Sequence, residues 1–138
     1  MKLSRRFKRI LYSTLSVLFV SGLVVWIFET WFQIDRGFGP EPHEARIWFL
    51  RLHAVFGLFF LMVFGALCQS HVARGLKGKK KKTSGLSTLS PILVLVATVP
   101  ILYYVTDETL KSWTAGVHTY LGLASVIPFF VHLFKPKS

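Results

Sequence analysis

Four long apolar stretches alternate with short polar segments along the 138 residues. They run from about Ile10 to Phe28, Ile47 to Ser70, Leu86 to Val105 and Trp113 to Phe134. Each is roughly 20 residues, the length that carries an α-helix across about 30 Å of hydrocarbon. A backbone crossing lipid must satisfy its own hydrogen bonds, so each stretch reads as a helix. Short connections make neighbouring helices antiparallel. The prediction is an all-α integral membrane protein: one transmembrane domain over residues 1–138, an up-down-up-down four-helix bundle with helices at about 10–28, 47–70, 86–105 and 113–134. Pro100 and Pro128 fall inside the third and fourth helices, where a missing amide hydrogen predicts kinks. Trp26, Trp31, Trp48 and Trp113 fall near one boundary, where indole rings favour the membrane interface.

Composition sharpens this picture. The chain is 52% hydrophobic and 17% charged, against about 25% charged for a soluble domain, so a soluble globular enzyme fits poorly. The formal net charge of +11 raises nucleic acid as a partner, but the distribution of charge argues for topology instead. Five Lys/Arg precede the first stretch (Lys2, Arg5, Arg6, Lys8, Arg9), and six follow the second (Arg74, Lys77, Lys79, Lys80, Lys81, Lys82). Lys135 and Lys137 close the chain. All six acidic residues, Glu29, Asp35, Glu41, Glu44, Asp107 and Glu108, lie in the opposite connections. The positive-inside rule then predicts both termini and the lysine loop on the cytoplasmic side, touching anionic lipid. The basic start and Ser4-Arg5-Arg6-Phe7-Lys8 give the first stretch the flavour of a signal peptide. Its apolar run is longer than the usual h-region and no small-x-small site follows, so an uncleaved anchor is expected.

Histidine carries the chemistry. His43 lies in the connection Pro40-Glu41-Pro42-His43-Glu44, and the other four fall in two stretches only: His53 and His71 in the second, His118 and His132 in the fourth. His53 and His71 are 18 positions apart, five turns of an α-helix, and therefore share a face. His118 and His132 are 14 apart and fall within about 40° of one another. In an up-down-up-down bundle the second and fourth helices run parallel. His53 then meets His118 at the outer level and His71 meets His132 at the inner level. Facing imidazole pairs suit an iron porphyrin with both axial positions filled. No C-x-x-C-H is present, so covalent haem attachment is excluded, and the single Cys68 rules out a disulfide framework or CxxC site. The two spacings span about 27 and about 21 Å, a mismatch that a tilt of about 30° in the second helix reduces. The alternative is a single haem on His53 and His118. A zinc site is a poorer fit, since each level offers two imidazoles; Cys68, one turn before His71, is the remaining soft ligand.

The surroundings extend the pattern. Leu52-His53-Ala54-Val55-Phe56-Gly57-Leu58 echoes Val117-His118-Thr119-Tyr120-Leu121-Gly122-Leu123, placing Gly57 and Gly122 one turn from each outer histidine, where a flat macrocycle would need room. Ordinary small-residue helix packing is the competing explanation. Arg46, Arg74 and Lys135 are the cations placed to meet propionates, although flanking cations are normal at helix ends. These residues resemble the four-helix di-haem cytochrome b proteins of bacterial membranes, the haem-bearing subunits of respiratory dehydrogenases and their small relatives. The resemblance rests on Arg51-Leu52-His53, Gly57, Gly65, Ser70-His71-Val72-Ala73-Arg74-Gly75, Gly116-Val117-His118, Gly122 and His132. It implies two b-type haems held by His53, His71, His118 and His132, location in the bacterial inner membrane, and in some members a quinone site.

The functional expectation is transmembrane electron transfer. It would link an extracytoplasmic redox partner, a c-type cytochrome or another redox subunit, to a quinone or cytoplasmic partner, within a larger membrane complex. Two filled axial positions disfavour substrate chemistry at iron, so no catalytic residue is assigned. A quinol-oxidising variant needs a proton acceptor, for which His43, Glu41 and Glu44 are candidates. The rival readings are a cofactor-free anchor or assembly subunit, and a transporter with a histidine relay.

Overall fold

The computed structural model describes residues 4–35, 37, 39–73 and 82–134, with backbone only for residue 70, residues 82–84 and residues 132–134. It is mostly helical and divides into two compact units, Met1–Leu67 and Cys68–Ser138. Four helical segments are long and apolar enough to cross a membrane: Arg5–Thr30, Arg46–Leu67, Gly85–Tyr104 and Glu108–Val131.

The first unit is a helical hairpin. Helix α1 spans Arg5–Thr30 and starts five residues earlier than its apolar run. Ser4 caps it, its hydroxyl accepting the Phe7 N–H at 3.2 Å; the basic residues that follow are good helix formers and continue the same turns outward. The connection forms a small antiparallel ribbon, β1 (Gln33–Asp35) with β2 (Pro40–Pro42), in the register Gln33↔Pro42, Ile34↔Glu41, Asp35↔Pro40. Asp35 makes the turn by accepting the Gly37 N–H at 2.8 Å, and Gly37 and Gly39 take φ of 90° and 107°, where a Cβ is strained. Helix α2 spans Arg46–Leu67, and the ring of His43 caps its approach, Nδ1 accepting the Ala45 N–H at 3.1 Å.

Regular α-helix then stops. Cys68–Val72, expected to continue the second span, is a π-helical segment at the start of the second unit. Helix α3 spans Lys82–Tyr104 and contains Pro91 as well as Pro100. After the short turn at 105–107, α4 spans Glu108–Ala124, with Asp107 accepting the Leu110 N–H at 2.7 Å and Glu108 favourably placed in the first turn. At the expected Pro128 kink the helix is interrupted for one residue: α4 ends at Ala124, Ser125 keeps helical angles (φ −62°, ψ −18°) with its N–H on the Leu121 carbonyl at 2.9 Å, and α5 spans Val126–Phe134. A proline ring collides with the carbonyl four residues earlier, and for Pro128 that residue is Ala124. Ser125 finishes α4 by donating its hydroxyl to the Gly122 carbonyl at 2.7 Å. Thr88 of α3 holds the new helix through the Pro128 carbonyl at 3.2 Å.

Burial is sparse and its chemistry is telling. The buried apolar side chains among the described residues are Leu11, Phe60, Val63 and Phe64, while Thr14, Ser21, Thr98 and Thr114 are as deeply covered. Leu58, Met62 and Tyr104 stand outward. Apolar exteriors with small hydroxyl-bearing seams are the packing mode of helices in lipid, where apolar side chains gain nothing by leaving the solvent.

Candidate functional site

Each unit holds one of the two histidines expected at the outer level, half-buried and hydrogen-bonded to the preceding helix. In the first, His53 Nδ1 lies 3.0 Å from the Leu18 carbonyl and 3.1 Å from Ser21 Oγ. In the second, His118 Nδ1 lies 2.7 Å from Thr98 Oγ1. The protons can be counted. A carbonyl only accepts, so the Leu18 contact requires hydrogen on Nδ1 of His53. Ser21 donates to its own helix, with Val17 O at 2.6 Å and Leu18 O at 3.1 Å, and therefore meets Nδ1 as an acceptor. Thr98 likewise has the Leu95 carbonyl at 2.7 Å; the arrangement that satisfies both of its contacts is Nδ1–H to Oγ1 and Oγ1–H to Leu95. In neutral rings this bonding places hydrogen on Nδ1 and leaves the lone pair to Nε2.

Gly22 also faces the His53 ring. A Cβ at Gly22 would lie 3.0 Å from its Cε1 and 3.2 Å from its Nδ1. The seam between α1 and α2 therefore admits the ring because position 22 has no side chain. The glycines expected to make room sit differently: Gly57 has no heavy atom within 4 Å of its Cβ position, and Gly122 meets only Leu95 Cδ2, at 3.8 Å.

The inner histidines are less regular than the α-helical count implies. His71 is exposed and lies within the π-helical segment opened by the half-buried Cys68. A π-helix holds more residues per turn than an α-helix, so the five-turn count from His53 does not reach it. His132 is on α5, beyond the one-residue interruption at Ser125, so the four-turn count from His118 crosses an irregular position as well. Its side chain, and the whole of Arg74 and Lys135, lie outside the described residues.

Arg46 is engaged locally. Its guanidinium forms an ion pair with Glu29, with Nε donating to Oε1 at 2.8 Å and Nη2 to the same oxygen. This ties the ends of α1 and α2 together. His43 packs 5.6 Å from Phe28, and its Nδ1 is the acceptor for Ala45. Trp31, Trp48 and Trp113 are well exposed, and Arg51 lies 5.0 Å above the Trp48 ring. Among the described residues no three of His, Cys, Asp and Glu gather as a metal cluster.

Ser21, Thr98 and Gly22 were not singled out by the sequence. The signal available was a second echo, Val17-Leu18-x-x-Ser21 against Val94-Leu95-x-x-Thr98. Compared with known proteins, the chain has no matching family model, curated protein or solved structure.

Proposed function

We propose that this chain is a b-type cytochrome of the bacterial inner membrane that passes electrons across the bilayer. In this reading the four spans run up-down-up-down with both termini cytoplasmic, as the basic tails and lysine loop favour. His53 and His118 would hold one haem, and His71 and His132 a second. The observation that carries the reading is that His53 and His118 each set Nδ1 against an oxygen of the neighbouring helix, which in a neutral ring leaves the lone pair to Nε2. Ligating histidines have this arrangement: the second nitrogen donates to an oxygen, which fixes ring orientation and raises ligand basicity. The donor set therefore fits haem b, which supplies a one-electron iron centre when bound.

The chain's own work is placement. The α1–α2 and α3–α4 seams orient the rings, the apolar spans exclude water, and Gly57 and Gly122 keep bulk away one turn from each ligand. Arg74 and Lys135 remain the proposed propionate cations; Arg46 joins them only by sharing its charge with Glu29. A c-type cytochrome or another redox subunit is the proposed outer partner, and a quinone or cytoplasmic protein the inner one, in a larger membrane complex.

The test is a reduced-minus-oxidised spectrum of purified protein expressed with ample haem, with haem content by pyridine haemochrome. Two haems per chain are expected, and His118→Ala should leave one. Colourless protein would sink the proposal. It would favour a cofactor-free anchor or assembly subunit, a reading that the interhelical bonds of His53 and His118 also suit.

A further inference from the structure

We propose that Ser21 and Thr98 are equivalent positioning residues, one in each helical hairpin, that hold His53 and His118 as Nδ1–H tautomers and so commit Nε2 as the coordinating atom. The ligand role rests on the haem reading above; the tautomer does not.

The equivalence comes from register. Beyond the histidine echo, Trp48 and Trp113 each stand five residues before a histidine, so the match reads Trp-x-x-x-[Leu/Val]-His-x-x-x-Gly-Leu in α2 and α4. The partner helices match through Val-Leu-x-x-[Ser/Thr], and in both the hydroxyl lies near the carbonyl of the leucine three residues back, Leu18 or Leu95. Ser21 and His53 are 32 positions apart and Thr98 and His118 only 20. That difference of 12 is also the difference between the connections, 15 residues at 31–45 and three at 105–107. The helical residues between hydroxyl and imidazole are thus equal in number. Each unit thus holds a helical hairpin that joins a hydroxyl of its first helix to a histidine of its second, and the first hairpin has a β-ribbon at its tip.

A hydroxyl in each hairpin, touching the same ring nitrogen, has a chemical consequence. Free neutral histidine favours hydrogen on Nε2, which would block that atom as a ligand. The hydroxyl is already turned to its own helix carbonyl and offers the ring an acceptor, so hydrogen on Nδ1 is stabilised. Hydroxyl acceptance also gives a ligating imidazole more anionic character, which favours oxidised iron.

The experiment uses full-length chain labelled with ¹⁵N-histidine, purified in detergent from haem-limited cells. Two-bond ¹⁵N–¹H correlation spectra distinguish protonated from unprotonated ring nitrogens. His53 and His118 should both show protonated Nδ1. Thr98→Val, which keeps shape and removes the acceptor, should move His118 toward the Nε2–H form, and Thr98→Ser should restore it. Ser21→Ala leaves the Leu18 carbonyl within reach of His53, so a smaller change is expected there. In haem-loaded protein Thr98→Val should shift one midpoint potential to a more positive value, again restored by serine. Wild-type rings protonated on Nε2, or a Thr98→Val spectrum unchanged at His118, would overturn the proposal. Protein showing the expected tautomers but binding no haem would overturn the ligand role while leaving the hydroxyls as tautomer-setting groups.

Discussion

Gly22 gives the sharpest quantitative test of how His53 is held. In Gly22→Ala the new methyl would lie 3.0 Å from His53 Cε1 and 3.2 Å from Nδ1, whereas comfortable carbon contacts begin at about 3.5 Å. The ring must retreat from α1 by about 0.5 Å. Both acceptors of Nδ1 are on α1, so contacts of 3.0 and 3.1 Å would lengthen to about 3.5 Å, beyond useful hydrogen-bond range. Interhelical hydrogen bonds in membranes contribute about 0.6 kcal/mol each and up to about 1.7, so the loss is about 1–2 kcal/mol. Replacing glycine by alanine inside a helix returns about 1 kcal/mol. The net change in stability is therefore small, about 0–1 kcal/mol destabilising, while the ring loses its fixed orientation. Gly85→Ala, with no heavy atom within 4 Å of its Cβ position, is the control that receives the helix gain alone. Thermal unfolding in detergent should rank Gly85→Ala above Gly22→Ala, and only the latter should disturb the His53 ring signals and lower haem content. If Gly22→Ala melted as high as the control with His53 unmoved, the close approach of ring and helix would be refuted.

Two further outcomes follow from geometry elsewhere. The Arg46–Glu29 pair has side-chain exposures of 29% and 39%, so solvent screening limits it; Glu29→Gln should cost less than about 1 kcal/mol, with a double-mutant cycle against Arg46→Ala measuring the coupling. Alanine at both Gly37 and Gly39 forces a Cβ into the left-handed region at about 1–2 kcal/mol per site, so amide exchange across 33–42 should accelerate while α1 and α2 remain protected.

What the sequence made legible was what apolar length controls. Four runs long enough to span a bilayer became four helical segments, because lipid-compatible backbone has few other choices. The departures arise where a residue acts at a distance along the chain. Pro128 was legible as a kink, and the interruption falls at Ser125, next to Ala124, because the steric effect of proline reaches four residues upstream. The ribbon at 33–42 is too short to leave a periodic signature and depends on two glycines at positive φ. The π-helical turn at Cys68–Val72 has no compositional mark. Isolated histidines in apolar runs were visible as interruptions, but their partners were not. Thr14, Thr30 and Thr114 each donate to the carbonyl four residues back, as hydroxyls in helices commonly do. Ser21 and Thr98 make bonds of the same kind to their own helices, and only the packing of a second helix reveals that they also receive an imidazole.

That packing bears on what the insertion at the tip of the first hairpin does for the histidine. The second hairpin brings hydroxyl and imidazole together across a three-residue turn, 105–107, without a ribbon. The joint is therefore set by the seam: small residues that let the helices approach, and one polar contact that is costly to leave unmade in an apolar setting. Loop-closure entropy changes only slowly with length, about 0.6 kcal/mol per doubling, so the longer connection is neither needed nor harmful to the seam. Replacing residues 33–42 with a short Gly/Ser link should leave His53 protonated on Nδ1 and haem content unchanged. Loss of the His53 tautomer in this variant, with the helices still formed by circular dichroism, would mean that the tip and not the seam holds the ring.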